Sequence, residues 1–217
     1  MKVVLFCGGK GLRLRDYSDK IPKPMIKVGY RPILWNVMKY YAHYGHKDFI
    51  LLLGHKADVI KDYFVNYHEY ISNDFVYSHG GENLNLLNTD IKDWTITFID
   101  TGTNANIGER LGAVKHLLKN EEYFLANYAD GLTDLPLDSM ISEFKESNYV
   151  GSFMAYQPKY SFHVVAFNGS NEVKNILPMT KTDIWINTGY FIFRNTIFDY
   201  MKMGEELVEE PFVLSVA

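Results

Sequence analysis

The chain opens on an apolar run, Val3 to Cys7, that stops against Gly8-Gly9-Lys10-Gly11-Leu12-Arg13. A short apolar run bounded by glycine predicts a buried strand, which needs cover on both faces. The glycines that end it let backbone approach an anion closely, with adjacent N–H groups turned towards it. Beyond a polar loop comes Pro22-Lys23-Pro24-Met25. Arg13 offers a planar fork to phosphate and Lys23 a compact point charge, while Pro22 and Pro24 bias the backbone around Lys23 towards extended shapes. Strand, glycine turn, arginine and a lysine between prolines together form a layout for handling a polyphosphate. A glycine turn alone more often marks only a tight strand-to-helix connection. Two familiar phosphate loops do not fit: no Gly-Lys-Ser/Thr follows at P-loop spacing, and Leu14 stands where a dinucleotide fingerprint needs its third glycine.

The rhythm of the rest extends this opening into an α/β fold. Pro32 to Tyr44 reads as a helix, with Pro in its first turn, Leu34, Val37, Met38 and Tyr41 at helical spacing, and Gly45 as its stop. Phe49 to Leu53 is a second strand and Ala57 to Ile71 a second helix, so the first 72 residues alternate as in a parallel sheet covered on both faces. The Asn-rich stretch from Asn73 to Asp93 suits a flap or short hairpin. Trp94 to Ile99 alternates as a strand, Ile107 to Leu118 as a helix, and Tyr123 to Asn127 as a strand that ends in Tyr128-Ala129-Asp130-Gly131. Leu137 to Phe144 is helical and Val150 to Tyr156 strand-like. Strands are predicted at Phe162 to Phe167, Glu172 to Leu177 and Gly189 to Phe193, with a last helix from about Thr196 to Leu207. No repeat or linker divides the chain, which is expected to form one domain over residues 1–217.

A net charge of −4 argues against broad nucleic-acid binding, although Arg13, Arg15, Lys20 and Lys23 form a local basic set. A single cysteine, Cys7, makes no internal disulfide and suits packing at a strand end in a reducing compartment. With no apolar run long enough to span a bilayer and no signal peptide, no membrane role and a cytoplasmic location are expected. Asp130, just past a strand end, is a natural Mg²⁺ ligand for nucleotide phosphates, although Asp-Gly alone is a turn signal. Asp134 and Asp138 better suit solvated or capping roles.

Gly8-Gly9-x-Gly11-x-Arg13-Leu14 followed by Pro22-Lys23-Pro24-Met25 resembles the sugar-nucleotide pyrophosphorylases, which join a nucleoside triphosphate to a sugar 1-phosphate. Within that superfamily the sequence is most similar to the glucose-1-phosphate cytidylyltransferases. The similarity rests on Gly29-x-x-Pro32-Ile33-Leu34-Trp35, Lys47-Asp48-Phe49-Ile50, Val59-Ile60-Lys61-x-Tyr63-Phe64, Asp100-Thr101-Gly102 and Gly108-x-Arg110-Leu111. Asn187-Thr188-Gly189-Tyr190-Phe191 and Glu209-Glu210-Pro211-Phe212 complete it.

The resemblance implies a Rossmann-like, mixed, mostly parallel sheet with helices on both faces. It implies a Mg²⁺-dependent reaction of CTP with α-D-glucose 1-phosphate to give CDP-glucose and pyrophosphate, in a chain that can form homo-oligomers. It assigns catalysis to Arg13, Lys23 and Asp130, and the metal to Asp130. Nucleotide contacts fall to Phe6, Cys7, Gly8, Gly9, Lys10, Gly11, Leu12, Arg13, Lys23, Ala105, Arg110 and Ala129, and sugar contacts to Asn187, Gly189 and Lys181. Ala129 stands where the family has a glycine. Arg110 reads equally as a residue near the base or as a solvated arginine at a helix start, and Asn187-Thr188-Gly189 can be simply a turn.

Three departures accompany the match. Lys181 is out of register with the family's lysine for the sugar phosphate. Phe162-His163 replaces a common Phe-Gly beside the sugar. The chain stops at Ala217, before the family's Met-Asp-Thr segment with its second metal-binding aspartate, so the chain is expected to be a shortened form. The same reaction with another triphosphate or sugar 1-phosphate, and a nucleotide-binding subunit without turnover, are the alternative readings.

Overall fold

The computed structural model describes residues 1–9, 21–169, 171–202 and 204–208. The elements run in order as β1 (Lys2–Phe6), β2 (Lys27–Val28), β3 (Arg31–Pro32), α1 (Ile33–His43), β4 (Asp48–Leu53), α2 (Ala57–Val65), β5 (Phe75–Ser78) and β6 (Asn83–Leu86). There follow β7 (Thr95–Asp100), α3 (Ile107–Ala113), α4 (Lys115–Leu118), β8 (Tyr123–Asn127), α5 (Leu137–Glu146), β9 (Gly151–Tyr156), β10 (His163–Phe167), β11 (Val173–Pro178) and β12 (Ile186–Arg194).

The central sheet has the order β7-β4-β1-β8-β12-β9. The first four of these run parallel, and β12 is antiparallel to both β8 and β9. It is the mixed, mostly parallel sheet that the resemblance implied, and its four parallel strands are those of the strand–helix rhythm. Alternate residues of the buried strands feed two separate cores, as the period of two requires. Val3, Leu5, Phe49, Leu51 and Leu125 face α1 and α5, meeting Val37, Met38, Tyr41, Ile141 and Phe144. Val4, Phe6, Ile50, Leu52, Phe124 and Ala126 face the other way, onto Leu111, Val114, Leu118, Ile197, Phe198 and Leu207. The sheet is therefore the middle of three layers.

Three predicted helices end differently in the structure. α2 stops at Val65 instead of continuing to Ile71; a separate 3-10 turn spans Glu69–Ile71. The cause is Arg31, a buried cation that needs acceptors. Its guanidinium donates to the His68 carbonyl at 2.7 Å and to Ser72 Oγ at 2.8 Å, and it lies 4.1 Å from the Tyr67 ring centroid. Tyr67 in turn accepts from Trp35 Nε1 and donates to Asp90. A continuous helix would keep the His68 carbonyl for its own hydrogen bonds.

The predicted helix from Ile107 to Leu118 is broken at Val114 into α3 and α4, while a capping box between Asn106 and Glu109 fixes its start. The helix expected from Thr196 to Leu207 is instead a 3-10 turn, Asn195–Asp199, followed by irregular chain. Gly204, at φ +85°, turns that chain so that the Gly204 carbonyl accepts from Asn106 Nδ2 and Leu207 reaches the core.

The Asn-rich stretch does contain a short antiparallel hairpin, β5 with β6. None of the described helices is long and apolar enough to cross a membrane.

His46 sits between α1 and β4 with Nε2 buried and without a hydrogen-bond partner among the described residues. Burial, then the N-terminal ammonium and Lys145, hold its pKa below the ordinary 6.5, with Asp138 opposing. As the pH falls through that ordinary value the unfolded chain takes a proton that the folded chain does not, so stability falls with pH. Urea midpoints at pH 7.5 and 5.5 should therefore separate for the native chain and converge for His46→Gln.

Candidate active site

Strand order locates the site before any side chain is considered. From β1 the chain proceeds to β4 and β7 on one side and to β8 on the other. The crevice outside the carboxyl ends of β1 and β8 is therefore a topological switch point, where open α/β sheets bind ligands. The glycine turn leaves the end of β1, and Asp130 follows the end of β8.

Lys23 and Asp130, 107 positions apart, meet there: Lys23 Nζ lies 2.6 Å from Asp130 Oδ2. Both are held on fixed backbone. Lys23 begins a 3-10 turn, Lys23–Met25, after extended Pro22, and Pro24 and Met25 are buried. Asp130 follows Ala129, a buried residue at φ +60° whose N–H donates to Asn127 Oδ1 at 2.6 Å. An alanine in the left-handed region carries strain, and the Asn127 bond holds it there. Asn127 escaped sequence reading; its signal was an Asn closing an apolar strand two residues before a turn.

Arg110 corrects one expectation. It is no solvated arginine but 4% exposed. Its Nη1 donates to the Leu53 carbonyl at 2.9 Å and to Thr101 Oγ1 at 2.5 Å, and its Nη2 donates to the Gly8 carbonyl at 3.1 Å. One guanidinium thus ties together the ends of β1, β4 and β7. Burial lowers its pKa, opposed mainly by Asp100, without depriving it of charge at neutral pH. It also dictates glycine at position 8, where a Cβ would stand 2.1 Å from Nη1.

Among the other predicted residues, Phe6 and Cys7 are buried at the end of β1, Gly9 is exposed, and Ala105 lies half-buried just before α3. Burial pushes the Cys7 thiol far up, so it supplies no thiolate nucleophile. Asn187 and Gly189 lie in β12, and the Gly189 carbonyl accepts from the Tyr128 N–H at 3.1 Å, beside Asp130. The Asn187-Thr188-Gly189 turn is thus an irregularity within a strand: Asn187 Oδ1 accepts from Gly189 N–H, and pairing with β9 shifts register there. Lys181 is exposed on the 3-10 turn after β11, and among the described residues no hydrogen bond or ion pair joins it to Lys23 or Asp130. His163 is exposed at the start of β10. Lys10, Gly11, Leu12 and Arg13 lie outside the described residues, as does the end of the chain from Glu209.

Among the described residues no group of three or more His, Cys, Asp or Glu side chains gathers to hold a metal. Asp130 nonetheless suits Mg²⁺: it is a hard oxygen donor, about a third exposed, near the end of β1 where the glycine turn begins. Mg²⁺ is commonly held by one or two carboxylates together with waters and substrate phosphates.

A family profile described as "Nucleotidyl transferase" matches residues 2–216. The chain belongs to this nucleotidyl transferase family. It is 33% identical over 219 aligned positions to a glucose-1-phosphate cytidylyltransferase from Salmonella typhimurium, covering all of this chain and 84% of that protein. A probable glucose-1-phosphate cytidylyltransferase from Bacillus subtilis is equally similar, at 33% with the same coverage. The fold recurs in a UTP-bound UGPase from Acinetobacter baumannii, with a TM-score of 0.65 at 17% identity over 99% of this chain and 81% of that one. The sugar-nucleotide pyrophosphorylase superfamily that the motifs suggested is the one to which the chain belongs, and the chain is of the nucleotidyltransferase enzyme class.

Gly189, at φ +81°, would place a Cβ 2.4 Å from the Tyr128 ring. Gly189→Ala should therefore destabilise the fold by about 1–3 kcal/mol and displace Tyr128. Urea unfolding and the near-ultraviolet circular dichroism of the tyrosines check both effects.

Proposed function

We propose that this chain transfers the cytidylyl group of CTP to α-D-glucose 1-phosphate, giving CDP-glucose and pyrophosphate. The observation that carries this reading is the meeting of Lys23 and Asp130 at the switch point beside the glycine turn. The choice of CTP and glucose 1-phosphate is supported by the 33% identity to the cytidylyltransferases across the whole chain. The UTP-bound relative has the same fold, so base choice has to rest on side chains at the site.

In this reaction a phosphate oxygen of the sugar phosphate attacks the α-phosphorus of the triphosphate, and the bond to the β-phosphate oxygen breaks to release pyrophosphate. Both partners are anions, so catalysis consists chiefly of charge neutralisation and in-line positioning. Lys23 would hold the reacting phosphates, and Arg13 the triphosphate and departing pyrophosphate. The backbone of Gly8 to Leu12 would cradle the nucleotide, with Phe6, Cys7, Ala105 and Ala129 forming its surroundings. Arg110, spent on backbone carbonyls, would act by holding the turn at Gly8 in shape. Asn187, Gly189 and Lys181 would meet the sugar phosphate. Asp130 would hold Mg²⁺, which when bound neutralises charge on the phosphates.

Pyrophosphate release with Mg²⁺, glucose 1-phosphate and each of CTP, UTP, dTTP and GTP tests the proposal. Preferential turnover of CTP is expected, and turnover of a different triphosphate in preference would reassign the base. Lys23→Ala should lower kcat roughly a hundredfold with little loss of stability, since its side chain is 35% exposed. Asp130→Asn should remove the metal dependence together with the activity. An Asp130→Asn variant with undiminished Mg²⁺-dependent turnover would place the metal elsewhere.

A further inference from the structure

The 2.6 Å contact between Lys23 Nζ and Asp130 Oδ2 joins two groups that the proposed chemistry needs apart. A carboxylate that ligates a metal presents its oxygens to that metal, and a lysine that holds a phosphate presents its ammonium to the phosphate. In the structure each satisfies the other. The bridge is built to be exchanged. Its backbones are fixed, Lys23 by the hydrogen bond from Met25 N–H to the Pro22 carbonyl at 2.8 Å and Asp130 by the Asn127–Ala129 bond. Its charged ends, with side chains 35% and 32% exposed, remain open to solvent. An ion pair so exposed is weak.

Among the described residues Asp130 belongs to no group of three or more His, Cys, Asp or Glu side chains that could hold a metal. A divalent ion that arrives alone must displace the Lys23 ammonium and leave it unpaired and close to a second positive charge. A metal that arrives with a triphosphate meets a different balance, because the phosphates supply further oxygen ligands and give the ammonium an acceptor.

We propose that Lys23 serves as an internal counter-cation that keeps Asp130 from binding a divalent metal until nucleotide arrives, which makes metal and nucleotide binding cooperative. This rests on the assignment of Asp130 as the metal ligand of a nucleotide site. Lys23 thereby has a binding role separable from its role in turnover. Linkage requires that the factor by which nucleotide tightens the metal equals the factor by which the metal tightens nucleotide.

Mn²⁺ binding, read by electron paramagnetic resonance of the free ion and by titration calorimetry, tests this without any turnover. The measurements use the full chain, with and without CTP and with no sugar phosphate. The native chain should bind Mn²⁺ weakly alone and much more tightly with CTP. Lys23→Ala should bind Mn²⁺ alone roughly tenfold more tightly than the native chain, with the nucleotide-linked gain reduced by the same factor. Lys23→Arg, which keeps the cation, should retain the exclusion.

If Lys23→Ala leaves Mn²⁺ affinity unchanged or weaker in the absence of CTP, the inference is overturned. That result with CTP-linked Mn²⁺ binding still lost in Asp130→Asn leaves the nucleotidyltransferase reading standing. CTP-linked Mn²⁺ binding that persists in Asp130→Asn overturns both the inference and the metal assignment beneath it. Circular dichroism of each variant confirms that the comparison is made between folded proteins.

Discussion

The buried guanidinium of Arg110 is the interaction on which the site's shape depends. A charge taken out of water has to recover its hydrogen bonds from the protein, and here the acceptors are the Gly8 and Leu53 carbonyls and the Thr101 hydroxyl. These atoms end adjacent parallel strands, so satisfying one cation fixes the relative height of the loops that leave the sheet. The same contact excludes a side chain at position 8, and at Gly54 a Cβ would stand 2.7 Å from both the guanidinium and the Gly102 carbonyl. Glycine at these positions is a packing requirement of the brace.

Arg31 repeats the principle away from the site. Its acceptors on His68 and Ser72 end α2 early and fasten the stretch that leads to the β5–β6 hairpin. Its other neighbour, Asp90, is held below the ordinary carboxylate pKa, with hydrogen bonds from Ser72 and Tyr67 outweighing the effect of burial. Lys23 and Asp130 behave differently because they remain partly in water. Their bridge constrains the fold little, and in the proposed reaction its partners exchange for phosphate and metal. Buried cations shape this molecule, while a half-exposed pair is left to its chemistry.

The sheet was legible in the sequence because its strands are short apolar runs bounded by glycine or turn residues. Burial on both faces enforces that pattern whatever surrounds it. β1, β4 and β8 fall within a residue of their expected limits for this reason. Helix ends were less legible. α2 and the stretch after Thr196 end where a distant arginine or a neighbouring helix takes the chain's hydrogen bonds, and no local periodicity records that. Lys23 and Asp130 stood out by their flanking residues. Asn127 did not, since its importance lies in the Ala129 amide that it accepts from.

By itself the sequence determined the layers of the fold and the candidate phosphate-handling groups, because burial periodicity and residue chemistry are local properties. Only the tertiary structure decided that Arg110 is a buried brace, that Asn187 and Gly189 form a strand irregularity beside Asp130, and that Lys23 rests on Asp130. Each of these is a contact between segments far apart in the chain. Such contacts depend on strand order and register, which the sheet sets as a whole and which no single segment encodes.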